Sequence, residues 1–170
     1  RVSLADGPLN GIRVTDLSNS ISGAWCSRLL ADYGADTTMI EELTGHMVRD
    51  LNPRTAEGTG VLEEWFLANK RSMSCEPTDE YSRARALSRV MNSDIVILPE
   101  RNSSLEQMMA GLEPSTQVRV SITPHGSTGD LSGISGNDLT NAARSGWASI
   151  NGTLGQMPLK PSGWQTSYCA

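Results

Sequence analysis

Between Gly11 and Ile40 the spacing of apolar residues changes period twice, and this restricts the fold more than any other feature of the chain. Gly11-Ile12-Arg13-Val14-Thr15-Asp16-Leu17 alternates apolar and polar residues and runs into the turn-prone Ser18-Asn19-Ser20-Ile21-Ser22-Gly23, the pattern of a strand leading into a loop. Over residues 24–33, Trp25, Leu29, Leu30 and Tyr33 fall on one helical face, and Gly34 stands where a helix-ending glycine is expected. Residues 36–40 read as a second strand. Strand, helix and strand within about 30 residues match a right-handed βαβ unit, which predicts a parallel sheet with helices on its faces.

The rest of the chain extends that reading. Thr78 can cap a helix over residues 79–91, with acids in its first turn and Ala84, Leu87, Val90 and Met91 on its inner face. Residues 94–98, Asp-Ile-Val-Ile-Leu, have the continuous apolar character of a buried parallel strand. Ser103 and Glu106 have capping-box spacing ahead of Met108, Met109 and Leu112, which predicts a short helix. Residues 118–122 read as a strand, 123–136 as a Gly- and Ser-rich loop, 137–150 as a helix and the remainder as a loop. That loop would follow the carboxyl end of a strand, where open α/β sheets place their ligands.

Composition narrows the function classes. A chain of 170 residues is long enough for one domain, expected over 1–170, burying about 70% of its unfolded surface. With 38% hydrophobic residues, 5% aromatics, 16 Gly and 8 Pro, the core is lean and loops are many. The net charge of −5 speaks against nucleic acid as a partner, because such binding needs clustered cations. Cys26, Cys75 and Cys169 are odd in number and widely spaced, which fits a reducing, cytoplasmic setting better than a disulfide framework. No apolar run approaches the about 20 residues of a membrane helix, so no membrane partner is expected. The first residue is Arg1 rather than Met, so a processed chain or a piece of a longer one is expected.

Several groups could carry chemistry, each with a plainer alternative. The junction from Leu17 to Ala24 could offer backbone N–H groups to a phosphate, or be an ordinary turn capped by Ser22. Glu41 and Glu42 stand where nucleotide-binding folds put an acid on a ribose hydroxyl, or at a solvated strand end. Lys70 and Arg71, in Asn69-Lys70-Arg71-Ser72, suit a phosphate contact or an exposed turn equally. His46 and His125 have no Cys or His at metal-ligand spacing, so they read as loop residues and no metal is expected. A Ser167, His125 and Asp138 set can be written down, but spacing alone gives it little weight. The tryptophans and methionines read as packing residues.

Taken together, three runs resemble the N-terminal portion of family III CoA-transferases, the group that includes formyl-CoA and carnitine CoA-transferases with α-methylacyl-CoA racemases as relatives. They are Pro8-Leu9-Asn10-Gly11-Ile12-Arg13-Val14-Thr15-Asp16-Leu17-Ser18, Gly23-Ala24-Trp25-Cys26 and Leu29-Leu30-Ala31-Asp32-Tyr33-Gly34-Ala35-Asp36. Ile40-Glu41, Arg49, Asn69-Lys70-Arg71-Ser72, Asp94-Ile95-Val96-Ile97 and Gly136-Asn137-Asp138-Leu139 add to the resemblance. It implies an α/β fold: a Rossmann-like parallel sheet with flanking helices, forming the N-terminal part of a large domain in a longer chain. It also implies subunits interlocked like links. Coenzyme A or acyl-CoA would be the substrate, a carboxylic acid its partner, and Ile21, Ser22, Gly23, Ala24, Arg49, Lys70, Arg71 and Arg101 would lie near the bound CoA.

The family carries an aspartate in a pattern like Gln-Ala-Asp-Tyr, whose carboxylate attacks the thioester to form a mixed anhydride. Here the pattern reads Gln165-Thr166-Ser167-Tyr168, so Ser167 takes the aspartate's place. The racemase acid-base pair would fall at Asn137, where a histidine is wanted, and at Ser167, and neither side chain exchanges a proton as an acid or base near neutral pH. Glu42 stands where many relatives have proline or arginine, and Leu98-Pro99-Glu100-Arg101 replaces the usual Glu-Asn-Phe-Arg. The expectation is a CoA-binding or structural unit without the usual nucleophile, with a homodimeric, tandem or hetero partner supplying the aspartate. The alternatives are a non-catalytic scaffold that has lost CoA, or an acyl-CoA transferase or lyase using another nucleophile.

Overall fold

A computed structural model of the chain describes residues 7–101, 103–112 and 116–170, so Arg1 lies outside the described residues. The chain divides into two compact units, Arg1–Ser121 and Ile122–Ala170.

The first unit is built on a parallel sheet. Its elements are β1 (Arg13–Asp16), α1 (Ile21–Asp32), β2 (Asp36–Glu41), a 3₁₀ turn (Met47–Asp50), α2 (Val61–Leu67), β3 (Arg71–Ser74), α3 (Glu80–Met91), β4 (Ile95–Ile97), α4 (Ser104–Met109) and β5 (Val118–Val120). The strand order is β3-β2-β1-β4-β5 and every pairing is parallel. The order reverses at β1, so the carboxyl ends of β1 and β4 flank the crevice that such sheets use for ligands.

Consecutive strand residues point to opposite faces, so each face needs its own helical cover. Leu17, Ile40, Cys75 and Val96 pack with Ala86 and Val90 of α3 and Leu105, Met108 and Met109 of α4. On the other face Val14, Ala35 and Ile97 pack with Cys26 and Leu30 of α1. Burying these chains supplies the main driving force for the layered arrangement, about 25 cal/mol per Å² of apolar surface removed from water.

The cap at the end of α1 follows the expectation for Gly34. Its φ is 99°, its N–H donates to the Ala31 carbonyl, and the Ala35 N–H reaches the Leu30 carbonyl, the paired bonds of a Schellman end. Three other local expectations are corrected. Ser20, not Ser22, caps α1, accepting from the Gly23 N–H, so residues 21–24 are the first helical turn. Asp79 rather than Thr78 caps α3, accepting from the Ser82 N–H. The inner face of α3 is Ala86 and Val90 with Leu87 beside them; Met91 is half exposed.

The buried face of α1 is also built mainly of small residues, with Ile21 at its start and Leu30 packed partly inward. Ile21, Gly23, Ala24, Ser27 and Ala31 are buried, whereas Leu29 and Tyr33 are exposed. Trp25 and Trp65 stack outside the core with centroids 6.3 Å apart, and the Arg28 guanidinium lies 5.1 Å from the Trp65 ring centre. The small residues bring the helix so close to the β1–α1 turn that a Cβ on Gly23 would sit 1.9 Å from Ser18 Oγ.

In the second unit the helix expected over residues 137–150 is two, α5 (Asp138–Arg144) and α6 (Trp147–Ile150). Gly146 separates them with a φ of 79° in the left-handed region, which glycine adopts without steric cost. Asn137 caps α5 through a reciprocal box with Thr140. A short helix, α7 (Gln165–Tyr168), lies in the segment expected to be loop. Among the described residues no helix is long and apolar enough to cross a membrane.

Candidate functional site

The carboxyl end of β1 carries Asp16, which is fully buried. Its Oδ1 accepts from the Ser18 N–H at 3.0 Å and hydroxyl at 2.7 Å, and its Oδ2 accepts from the Ser27 hydroxyl at 2.5 Å. Lys70 enters the same cluster from the start of β3. Its Nζ donates to the Ala24 carbonyl at 2.7 Å and to Ser27 Oγ at 2.5 Å, and lies 3.8 Å from Asp16 Oδ2. Burial lowers the Lys70 ammonium to about 8, against the opposing pull of the Asp16 carboxylate.

The end of β2 carries a second buried acid. Glu41 is gripped by Arg49, Nε to Oε2 at 2.8 Å and Nη2 to Oε1 at 2.7 Å, while Arg49 Nη1 reaches Glu63 at 2.5 Å. The Ser72 hydroxyl and the His46 N–H also donate to Glu41. Burial would raise the Glu41 carboxyl, but these donors outweigh it and hold the group at about 2. The Glu41 bonds raise Arg49 in turn. Glu41 is therefore neither a solvated strand end nor a free ribose ligand.

His46 was expected as a plain loop residue, yet it is only 2% exposed. Its Nδ1 accepts from the Val48 N–H at 3.2 Å, which puts the ring proton on Nε2 in the neutral form. Nε2 has no hydrogen-bond partner among the described residues. Burial lowers the pKa of this imidazole, opposed by the Asp16 and Glu41 carboxylates.

The β1–α1 turn is closed by acids from the chain itself. Both carboxylate oxygens of Glu100, after β4, accept from the Asn19 N–H at 2.9 and 2.7 Å, and Asn19 Oδ1 accepts from the Met47 N–H at 2.7 Å. Glu42 accepts from the Ser104 hydroxyl at the start of α4. These contacts frame a cavity of about 180 Å³ at the carboxyl edge of the sheet, lined among others by Ser18, Asn19, Glu42, His46, Glu100 and Ser103.

The residues expected near a ligand fall into separate groups. Ile21, Ser22, Gly23 and Ala24 form the first turn of α1, and Lys70 is tied to Ala24. Arg49, Lys70 and Arg71 line one open depression of about 330 Å³ alongside α2. Arg71 is mostly exposed there and pairs with Asp36 at 2.9 Å. Arg101 is exposed in the turn after β4. None of these four cations lines the 180 Å³ cavity. The Glu41–Arg49–Glu63 group had no strong sequence signal, because its members come from β2, the 3₁₀ turn and α2.

In the second unit Ser167 lies in α7, half buried. Asp138, 7% exposed, anchors that helix: its Oδ1 accepts from the Thr166 N–H at 2.9 Å, the Thr166 hydroxyl at 2.6 Å and the Ser167 N–H at 3.2 Å. Its Oδ2 pairs with Lys160 at 2.9 Å. Burial pushes the Asp138 carboxyl up, but Thr166, Lys160 and the Ser167 N–H bring it below its usual value. Asp138 thus holds the backbone of Ser167 rather than its hydroxyl, and no hydrogen bond joins His125 to either among the described residues.

A family model described as CoA-transferase family III matches residues 9–169. The chain is 26% identical over 172 aligned residues to an acyl-CoA transferase of Fusarium pseudograminearum, covering 93% of this chain and 38% of that protein. It is 35% identical over 164 residues to a probable CoA-transferase of Mycobacterium tuberculosis, covering 91% of this chain and 21% of the other. Among solved structures, a CAIB/BAIF family protein from Brucella suis superposes with a TM-score of 0.85 at 23% identity, covering 95% of this chain and 45% of that one. The chain therefore spans less than half the length of these relatives, and the structural likeness bears on the fold.

Proposed function

The chain belongs to CoA-transferase family III, and from that membership we propose that it forms the CoA-binding part of a cytoplasmic enzyme that passes coenzyme A from an acyl-CoA to a carboxylic acid. The observation that carries this reading is the cavity at the reversal point of a parallel sheet, at the carboxyl ends of its strands, the position that open α/β folds use for nucleotide ligands. The depression lined by Arg49, Lys70 and Arg71 is also lined by Glu63 and Glu64; Arg49 is paired with Glu41 and Glu63 and Lys70 is buried, which leaves Arg71 as the cation that a pyrophosphate could reach there. Arg71 is the one of these three that is mostly exposed.

In this reading Ser167 occupies the place of the family's nucleophilic aspartate. A carboxylate there would attack the thioester carbon, expel the CoA thiolate and leave a mixed anhydride, which remains activated enough to return its acyl group. A serine hydroxyl gives an ester, which is less activated, and it must lose a proton to attack. Asp138 bonds the Ser167 backbone N–H and is already engaged by Thr166 and Lys160, so it does not serve as that base. The chain by itself binds the thioester without turning it over, and a second unit carrying the aspartate completes the enzyme.

Calorimetry with CoA and acetyl-CoA, followed by CoA exchange between labelled acids with and without Ser167→Asp, tests the reading. The expected result is binding by both forms and exchange only after the substitution or after adding an aspartate-bearing partner. Robust exchange by the unaltered chain alone would overturn the claim about Ser167, and absence of binding to either thioester or thiol would leave a scaffold role.

A further inference from the structure

His46 caps the 3₁₀ turn Met47–Asp50 with a ring nitrogen: Nδ1 accepts from the Val48 N–H at 3.2 Å. The backbone N–H of His46 donates to Glu41 Oε2 at 2.8 Å, and the Met47 N–H donates to Asn19 Oδ1 at 2.7 Å, which ties the turn to the β1–α1 connection. The same turn carries Arg49, the partner of Glu41 and Glu63. Ser, Thr and Asn, which commonly fill a capping position, accept through an oxygen that does not titrate. An imidazole accepts at Nδ1 only while neutral, because both ring nitrogens of the cation are donors. A proton on Nδ1 therefore replaces the capping bond with one N–H facing another.

The closed turn gives the charge nowhere to go. The His46 ring is 2% exposed, Val48 is fully buried, and Nε2 has no hydrogen-bond partner among the described residues. Burial is the largest influence on the ring and disfavours its cation. Asp16 at the end of β1 and Glu41 at the end of β2 favour the cation, while Lys70 before β3 and Arg49 in the turn oppose it. Both acids are already committed, Asp16 to Ser18 and Ser27, and Glu41 to Arg49 and Ser72. Glu42 and Glu100, in the same cavity lining as His46, are held by Ser104 and by the Asn19 N–H. Once the turn opens, the ring meets water and its charge is hydrated.

We propose that His46 is an acid-sensitive latch: below neutral pH, a solvent proton taken up at Nδ1 removes the acceptor of the Val48 N–H and releases the turn Met47–Asp50, together with the Met47–Asn19 contact beside the carboxyl-edge cavity. The released form holds one proton more than the closed form, so release grows as pH falls below the ordinary histidine value of 6.5. Glu41, held at about 2, and Lys70, at about 8, keep their charges across this range.

The test follows amide hydrogen exchange at Met47 and Val48 from pH 7.5 to pH 5.5, corrected for intrinsic exchange rates, with the amides of Val14 and Val96 in the central strands reporting global unfolding. Protection at Met47 and Val48 should fall by between about threefold and tenfold, the upper figure set by a released ring that titrates near 6.5, while Val14 and Val96 hold. His46→Asn keeps a capping oxygen and does not titrate, so its protection should stay flat, and His125→Asn should behave as the parent. The NMR shift of the His46 ring in the parent chain reads the proton directly and should move in step with the loss of protection. Protection constant within twofold while the ring titrates overturns the latch. So does a fall that persists in His46→Asn, or an equal fall at Val14 and Val96.

Discussion

Arg49 holds Glu41 along both edges of its carboxylate, Nε to Oε2 at 2.8 Å and Nη2 to Oε1 at 2.7 Å. The acid is 7% exposed, while the Arg49 side chain is 32% exposed, so the carboxylate is the buried member of the pair. Removing one partner leaves a buried charge uncompensated, which typically costs about 3–5 kcal/mol. Arg49→Met should therefore lower the urea midpoint strongly, and Glu41→Gln with Arg49→Met should recover part of the loss. A double-mutant cycle showing no coupling between the two would refute the pairing.

The same acid gives the fold a pH dependence. Glu41 is held at about 2, against an ordinary value of 4.5, so the folded state binds fewer protons than the unfolded one between those values. Its contribution is present above pH 4.5 and is lost as pH falls towards 2. The difference of about 2.5 units corresponds to on the order of 3 kcal/mol. Denaturation from pH 5 to pH 2 should show a smaller loss of stability for Glu41→Gln than for the unaltered chain.

Lys70 acts in the same sense at higher pH. Its ammonium falls from 10.5 to about 8, so between these values the folded state holds fewer protons than the unfolded state and Lys70 adds stability as pH rises. The stability of the unaltered chain minus that of Lys70→Met should increase between pH 8 and pH 10.5. A flat difference would contradict the burial of this ammonium.

Asp138 fixes α7 through three acceptor contacts at one oxygen. Asp138→Ala should free the amides of Thr166 and Ser167, at a cost of about 1–3 kcal/mol, and amide hydrogen exchange at those two positions should quicken. Exchange there unchanged from the parent would show that α7 is held by other contacts.

Gly23 tests the close approach of α1 to the turn before it. A Cβ at this position meets Ser18 Oγ at 1.9 Å and Ser18 Cβ at 2.4 Å, so Gly23→Ala should destabilise by about 1–3 kcal/mol. Gly23→Ala should cost less in a Ser18→Gly background, which removes the clash together with the Ser18 hydroxyl bond to Asp16, as read by a thermal-unfolding double-mutant cycle.

The parallel sheet was legible because the period changes from two to 3.6 and back between Gly11 and Ile40, and because Gly34 ends α1 as its position predicts. The buried face of α1 was not. Hydropathy assigns large apolar residues inward, but the contact at Gly23 leaves no room for a side chain there, and Leu29 and Tyr33 face outward while Leu30 packs partly inward. α2 gave no start signal, since Gly60 precedes it without a side-chain cap. The cations expected near a ligand were legible as residues but not in their pairing, because Glu63 and Asp16 come from elements remote in sequence from Arg49 and Lys70. His46 drew no attention because a lone histidine in a polar stretch has no periodic signal, and its burial arises only when β2 and the 3₁₀ turn pack.

Glu100 bonds the Asn19 N–H with both carboxylate oxygens. The turn between β1 and α1 thus receives from its own chain the counter-anion that many nucleotide-binding turns obtain only from their ligand. Its shape is set before any ligand arrives. Binding at this edge therefore involves little backbone ordering, and affinity there depends on whether the incoming group fits the carboxylates already in place.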